Sequence, residues 1–271
     1  MAQISILGCG WLGFPLAKGF LEKGFSVNGS TTSTEKLSII KDSRINPFLI
    51  VLTPTLSKGE GEETIENFLQ GSETLIIDIQ PKLRGNSKED FVGKIETLIP
   101  YIENSSIENV LFISSTSVYG DENTSVTEKT IPQPDTESGR QLVLSEQLLQ
   151  KNTNFKTTIL RFGGLIGEGR HPVKYLAGRE NLENPDAPIN LIHQEDCIGI
   201  IMEISTSNSW NQTFNAVTPF HPSRSAYYTK KAMDLNLALP KFNHQNPSVG
   251  KTILSDAIET VLNYTFIKPN L

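Results

Sequence analysis

The run G-C-G-W-L-G at positions 8–13 constrains this chain most, because of what stands on either side of it. A short apolar run at 4–7 precedes it, and a helical apolar pattern (Leu12, Leu16, Ala17, Phe20, Leu21) follows. Strand, G-x-G-x-x-G turn and helix in that order open a dinucleotide-binding βαβ unit. Gly8 permits the tight turn, Gly10 lets backbone approach a pyrophosphate, and Gly13 lets helix pack closely on strand. With Trp11 and Leu12 they form a helix N-terminus that offers free N–H groups and a positive dipole to phosphates.

Strand and helix signals then alternate. Residues 4–7, 26–29, 48–52, 75–79, 110–113 and 157–160 read as short buried strands. Helical patterns lie around 13–23, 34–40, 63–69, 88–102 and 140–151. Near-continuous apolar strands separated by helices imply a parallel sheet covered on both faces, with ligands at the carboxyl ends of its strands. The expected class is therefore α/β, a Rossmann-type doubly wound parallel sheet spanning 1–168. After Gly169, prolines 172, 185, 188, 219 and 222 break the chain into short elements. Residues 169–271 read as a small substrate lobe, some of whose elements return to the first domain. The acidic stretch 59–63 reads as a solvated loop.

At 271 residues the chain can bury a sizeable core. Its net charge of −6, with no basic block, argues against a dedicated nucleic-acid binder. No apolar run reaches the roughly 18 residues of a membrane span. Residues 1–7 read as the first strand rather than a signal peptide, so the expectation is a soluble cytoplasmic protein. Cys9 and Cys197 provide neither a disulfide framework nor a metal-ligand spacing, and Cys9 reads as a small buried filler.

Three further stretches carry a resemblance. They are S-S-T-S-V-Y-G at 114–120, L-R-F-G-G-L-I-G-E-G-R at 160–170 and N-L-I-H-Q-E-D at 190–196. With the glycine turn, they make the chain similar over nearly its whole length to the extended short-chain dehydrogenase/reductase superfamily, in its NAD-dependent epimerase/dehydratase branch. The resemblance implies that Ser115 hydrogen-bonds the substrate's reacting oxygen, with Ser114 beside it. It also places Phe162 and Gly163 beside the nicotinamide half of the cofactor.

The chain departs from the family where its chemistry is expected. The family pairs that Ser or Thr with Y-x-x-x-K on the next helix, where the Lys lowers the pKa of a Tyr that transfers the proton. Here the frame reads S-G-R-Q-L-V-L-S-E at 138–146, with Ser138 in the Tyr position and Leu142 in the Lys position. Tyr119 is a stand-in proton donor or a wall of the nicotinamide pocket. His193 is a substrate-side acid–base group or a packed structural residue. Arg170, Arg179 and Arg224 are candidates for an anionic substrate such as a nucleotide diphosphate.

Cofactor choice hangs on the end of the second strand. NAD sites commonly place Asp or Glu there, whereas this chain reads V-N-G-S-T-T-S-T-E-K at 27–36. Ser30, Thr31, Thr32 and Lys36 can accept a 2′-phosphate, which leans the reading to NADP over NAD. A Ser/Thr-rich turn capping a helix at Thr34 fits the same residues. Thr53, and Ile79, Gln80 and Pro81, should lie along the cofactor where strands end. The expected function is an NAD(P)-dependent oxidoreductase or epimerase/dehydratase-like enzyme on a small polar or nucleotide-sugar substrate. The alternative is a non-enzymatic NAD(P)-binding sensor. Oligomeric state is left open.

Overall fold

The computed structural model describes residues 2–54, 60–81, 83, 89–122 and 124–271. In chain order the elements of the first part are β1 (Gln3–Leu7), α1 (Gly13–Glu22), β2 (Ser26–Thr31), α2 (Glu35–Asp42) and β3 (Asn46–Leu49). Then come α3 (Glu60–Leu69), β4 (Thr74–Ile77), α4 (Phe91–Glu103), β5 (Asn109–Ser115), β6 (Ser125–Val126), α5 (Glu137–Lys151) and β7 (Lys156–Phe162). The second part holds β8 (Gly164–Ile166), α6 (Val173–Leu176), β9 (Leu191–His193), α7 (Gln194–Thr206) and β10 (Thr213–Ala216). It ends with α8 (Arg224–Asp234), β11 (Thr252–Ile253) and α9 (Asp256–Thr260).

Seven strands form one parallel sheet in the order β10-β7-β5-β4-β1-β2-β3. Both faces are buried, as the unbroken apolar strands require. Alternate residues of one strand go to opposite cores. Leu111 and Ile113 join Ile4, Ile6, Leu16 and Phe20 under α1 and α7, while Val110 and Phe112 join Leu75, Ile77, Phe68 and Ile95 under α3 and α4. A third, smaller core of Ile166, Val173, Leu176, Leu191, Tyr227 and Tyr228 holds the second lobe together.

All six expected strands are present, with ends shifted by up to three residues. The strand expected at 48–52 runs instead over Asn46–Leu49, with a last bond from Ile50 N to the Thr31 carbonyl at 3.0 Å where β2 ends. The stretch expected to be a loop at 59–63 is helical from Glu60, in keeping with the strong helix propensity of glutamate; Gly59 lies outside the described residues. The helix expected from position 88 starts at Phe91, where the Asp90 side chain accepts from Gly93 N at 2.8 Å; Lys88 lies outside the described residues. The seventh strand, β10, is four residues long and pairs beside β7.

The strand order reverses between β1 and β4. From β1 the chain winds outward to β2 and β3, then crosses back to β4 and winds the other way. Helices cannot fill the crevice at such a switch point, so it opens at the carboxyl ends of β1 and β4.

Candidate functional site

At that crevice lies a cleft of about 1330 Å³. Its floor is the end of β1 and the glycine turn (Leu7, Gly8, Cys9, Gly10). One wall comes from the ends of β2 and β3 (Ser30, Thr31, Thr32, Lys36 and Ile50 to Leu52), and another follows β4 (Asp78, Ile79, Gln80, Pro81). Glu89, Phe91 and Lys94 of α4 and its approach close one end. The second lobe adds Gly164, Leu165, Gly169, Arg170, His171, Pro172 and Tyr175.

The glycines act as the turn requires. Gly8 has φ +113°, and a Cβ there would lie closer than 3.0 Å to the Asp78 backbone carbonyl. A Cβ on Gly13 would be equally close to the Gly8 carbonyl oxygen and 3.1 Å from Asp78 Oδ2. Gly10 differs, because no atom of the described residues lies within 4 Å of where its Cβ would stand. Leu12 is buried in the core and contributes its backbone, while the Trp11 ring leans toward the second lobe.

Ser30 is buried, and its Oγ accepts from Gly8 N at 2.9 Å, so this hydroxyl holds the turn to β2 as well as facing the cleft. Thr32 and Lys36 are exposed. Thr34 makes no side-chain cap; Thr31 Oγ1 accepts from Ser33 N instead. Of the strand-end residues, Ile79, Gln80 and Pro81 line the cleft. Thr53 is not among the lining residues.

Asp78 went unmarked in the sequence, although it directly follows β4 beside the three residues that were singled out. The Gly13 N–H donates to its carboxylate. Burial pushes its pKa up to about 8, opposed by that N–H and by the positive charge of Arg170. Burial also pushes the Cys9 thiol up to about 12, with Asp78 adding to the effect, which keeps it unreactive. His171 was missed as well. Its Nδ1 accepts from Val173 N at 3.1 Å and its Nε2 lies 3.0 Å from Tyr227 Oη. Burial, then Lys231 and Lys174, push its pKa down to about 4, so it is neutral at pH 7.

The three residues expected to carry chemistry, Ser115, Tyr119 and Ser138, are not among those lining this cleft. Ser115 ends β5, and its Oγ accepts from Ser117 N at 3.1 Å. Ser114 is buried and donates to Glu146 Oε1 at 2.5 Å. Tyr119 is 2% exposed; its hydroxyl accepts from Arg161 Nη1 at 2.6 Å and donates to Asn215 Oδ1 at 2.9 Å. Burial raises its pKa, with Arg161 opposing. Arg161 is itself clamped by Glu146 through bonds of 3.0 and 2.6 Å. Tyr119 therefore belongs to a buried polar network and not to a wall of the cleft. On α5, Ser138 is half-buried in the first turn and Leu142 is packed into the core, so no cation stands there.

The remaining candidates divide clearly. Phe162 is core, and Gly163 is needed because a Cβ would meet the Asn190 carbonyl oxygen at 2.6 Å. His193 caps α7 by accepting from Glu195 N, and Asp196 one turn on accepts from Ile267 N at 2.6 Å and Lys268 N at 3.0 Å. Arg224 donates to the Glu183 carbonyl and sits over the Phe242 ring, bracing the second lobe away from the cleft. Arg170 does line the cleft.

A seven-stranded parallel sheet with a glycine turn and a cleft at its switch point defines a Rossmann-type α/β fold, and solved structures share it. The chain superposes on a candidate NAD-dependent epimerase/dehydratase from Methylobacillus flagellatus with a TM-score of 0.78 and 21% identity, covering 99% of this chain and 94% of that one. It superposes on UDP-glucuronic acid 4-epimerase from Bacillus cereus in complex with NAD with a TM-score of 0.79 and 16% identity, over 97% and 91% of the two chains. No protein-family model matches. Within this fold the chain belongs to the family of protein YeeZ of Escherichia coli K12, to which it is 31% identical over 271 residues, 100% of this chain and 97% of that protein. No helix among the described residues is long and apolar enough to cross a membrane.

Proposed function

We propose that this protein binds a nicotinamide dinucleotide in the switch-point cleft and uses it on a small polar substrate, as an oxidoreductase or epimerase/dehydratase. The observation that carries the reading is the glycine turn itself: Gly10 faces space that no atom of the described residues fills, at the N-terminus of α1. That space is what a pyrophosphate needs, so the residues fit the cofactor. The cleft also exceeds the roughly 300–1,000 Å³ of ordinary small-molecule pockets, leaving room for a long two-part ligand.

In this reading residues 1–168 bind the dinucleotide and 169–271 form the substrate lobe, with α7, β10 and α9 returning to the sheet. Gly8, Gly10, Trp11, Leu12 and Gly13 hold the pyrophosphate. Ser30, Thr31, Thr32 and Lys36 hold the adenine ribose, and the lack of a carboxylate among them favours NADP over NAD. Ile79, Gln80, Pro81, Gly164 and Leu165 flank the nicotinamide half. The bound cofactor supplies a hydride acceptor or donor. Ser115, at the carboxyl end of β5, orients the reacting oxygen. The UDP-sugar and NAD named for the Bacillus cereus structure support a nucleotide-sugar as the substrate class. The partners are small molecules, and the protein is soluble and cytoplasmic.

The buried Leu142 favours a second reading, a non-enzymatic sensor of the same dinucleotides, since it puts no ammonium one turn after Ser138 to tune a proton donor. Calorimetric titration with NAD, NADH, NADP and NADPH tests the shared part: micromolar binding of at least one is expected, and absence of heat with all four defeats both readings. Turnover of UDP-hexoses in the presence of the preferred cofactor then separates enzyme from sensor.

A further inference from the structure

The turn at 167–170 and the glycine turn are 157 positions apart in sequence but form one unit. Trp11 Nε1 donates to the Glu168 carbonyl at 3.1 Å, and the Trp11 carbonyl accepts from Gln194 Nε2 at 2.6 Å. The indole lies flush on Gly167, where a Cβ would meet its Cζ2 at 2.9 Å. Gly167 and Arg170 exchange backbone hydrogen bonds of 2.9 and 3.1 Å, and Gly169 takes φ +70° to close the turn. Arg170 is thereby carried back over the indole, its guanidinium 4.9 Å from the ring centroid.

The charge inventory gives that position its meaning. The cations lining the cleft, among the described residues, are Lys36, Lys94 and Arg170. Lys94 is paired with Glu89, and Lys36 stands at the ribose end beside Thr32. The Arg170 side chain makes no hydrogen bond or ion pair among the described residues. Its field nevertheless reaches Asp78, the carboxyl group that takes the Gly13 N–H at the base of the glycine turn. A guanidinium seated over Trp11, with no hydrogen bond or ion pair among the described residues, thus lines the same cleft as the turn.

We propose that Arg170, supplied by the second lobe, is the cationic ligand of the dinucleotide's pyrophosphate, held in place by stacking on Trp11. The assignment rests on the dinucleotide reading above and adds to it a phosphate contact from outside the βαβ unit. A diphosphate also occurs in nucleotide-sugars, but the seat of Arg170 is a residue of the glycine turn itself, which commits it to the cofactor. A planar fork with five N–H donors can bridge both phosphates, which the backbone amides alone cannot neutralise.

The test titrates the full-length natural protein, Arg170→Gln and Arg170→Lys with the preferred dinucleotide, ADP-ribose, adenosine and UDP-glucose, following heat and Trp11 emission. Trp210, the other tryptophan, is buried in the core and serves as an internal reference. Arg170 is exposed, so both variants should fold and melt with the natural protein. Arg170→Gln should weaken the dinucleotide and ADP-ribose about ten- to hundredfold, reduce the salt dependence of binding and leave adenosine unchanged. Arg170→Lys should recover part of the loss. Unchanged dinucleotide affinity in Arg170→Gln would overturn this assignment alone, and a loss confined to UDP-glucose would move Arg170 to the substrate. No dinucleotide binding by the natural protein would overturn the cofactor reading together with it.

Discussion

Replacing Gly10 by valine adds three carbons above the cleft floor, and nothing among the described residues lies within 4 Å of the first of them. Its backbone is not in the left-handed region, so a side chain is tolerated. Stability should then stay within about 1 kcal/mol of the natural protein. Gly13→Ala adds one carbon, yet that carbon would lie closer than 3.0 Å to the Gly8 carbonyl oxygen, a backbone atom that cannot swing aside. Overpacking of this kind costs about 1–3 kcal/mol. In a chain of this size that lowers Tm by roughly 2–10 °C. Dinucleotide affinity should show the opposite order of causes. Gly10→Val places its methyls where the pyrophosphate must approach and should abolish binding without unfolding anything. Gly13→Ala should lose affinity only as far as the turn is displaced. Scanning calorimetry of the ligand-free proteins and isothermal titration at a temperature where all are folded supply both numbers. If Gly10→Val melts as low as Gly13→Ala, or binds the dinucleotide as well as the natural protein does, the reasoning about this turn is wrong.

Asp78, with a folded pKa of about 8 against about 3.9 unfolded, takes up a proton on folding. Stability should therefore fall as pH rises from 4 to 8 and level off above; the charged and titratable groups facing it are Arg170, Cys9 and Cys197. Urea midpoints from pH 5 to 9 should show a flatter profile in Asp78→Asn, and an unaltered slope would refute the shift. Glu146→Gln removes the charge that balances the buried Arg161 guanidinium and turns an N–H donor toward its Nη2, so it should destabilise by about 3–5 kcal/mol in urea unfolding. A loss below 1 kcal/mol would mean water reaches the pair. Lys36→Ala should weaken NADP and leave NAD nearly unchanged, and Thr31→Asp should reverse the preference. Equal affinities unmoved by either change would show that this wall does not read the 2′-phosphate.

What the sequence determined by itself is local. The strand–turn–helix at the start, the six apolar strands and the roles of Gly8, Gly10 and Gly13 follow from periodicity and from what a Cβ would do to a turn. Both are properties of neighbours in the chain. The departure at Ser138 and Leu142 was legible too, since a missing phenol and a missing ammonium need no coordinates. Tertiary structure decided which side chains meet. Asp78, directly after β4, and the Gly13 N–H, at the start of α1, are brought together because β4 lies beside β1 in a sheet order that spacing does not encode. Tyr119 looked like a site residue because it follows the strand that carries Ser115, but Arg161 of β7, held by Glu146 of α5, and Asn215 of β10 converge on its hydroxyl. β10 itself, at four residues, is too short to carry a period and becomes a strand only where β7 offers an open edge. Arg170 was one arginine among several until the fold laid it over Trp11. A long charged side chain takes its role from whatever surface it is folded against, and local sequence carries no record of that surface.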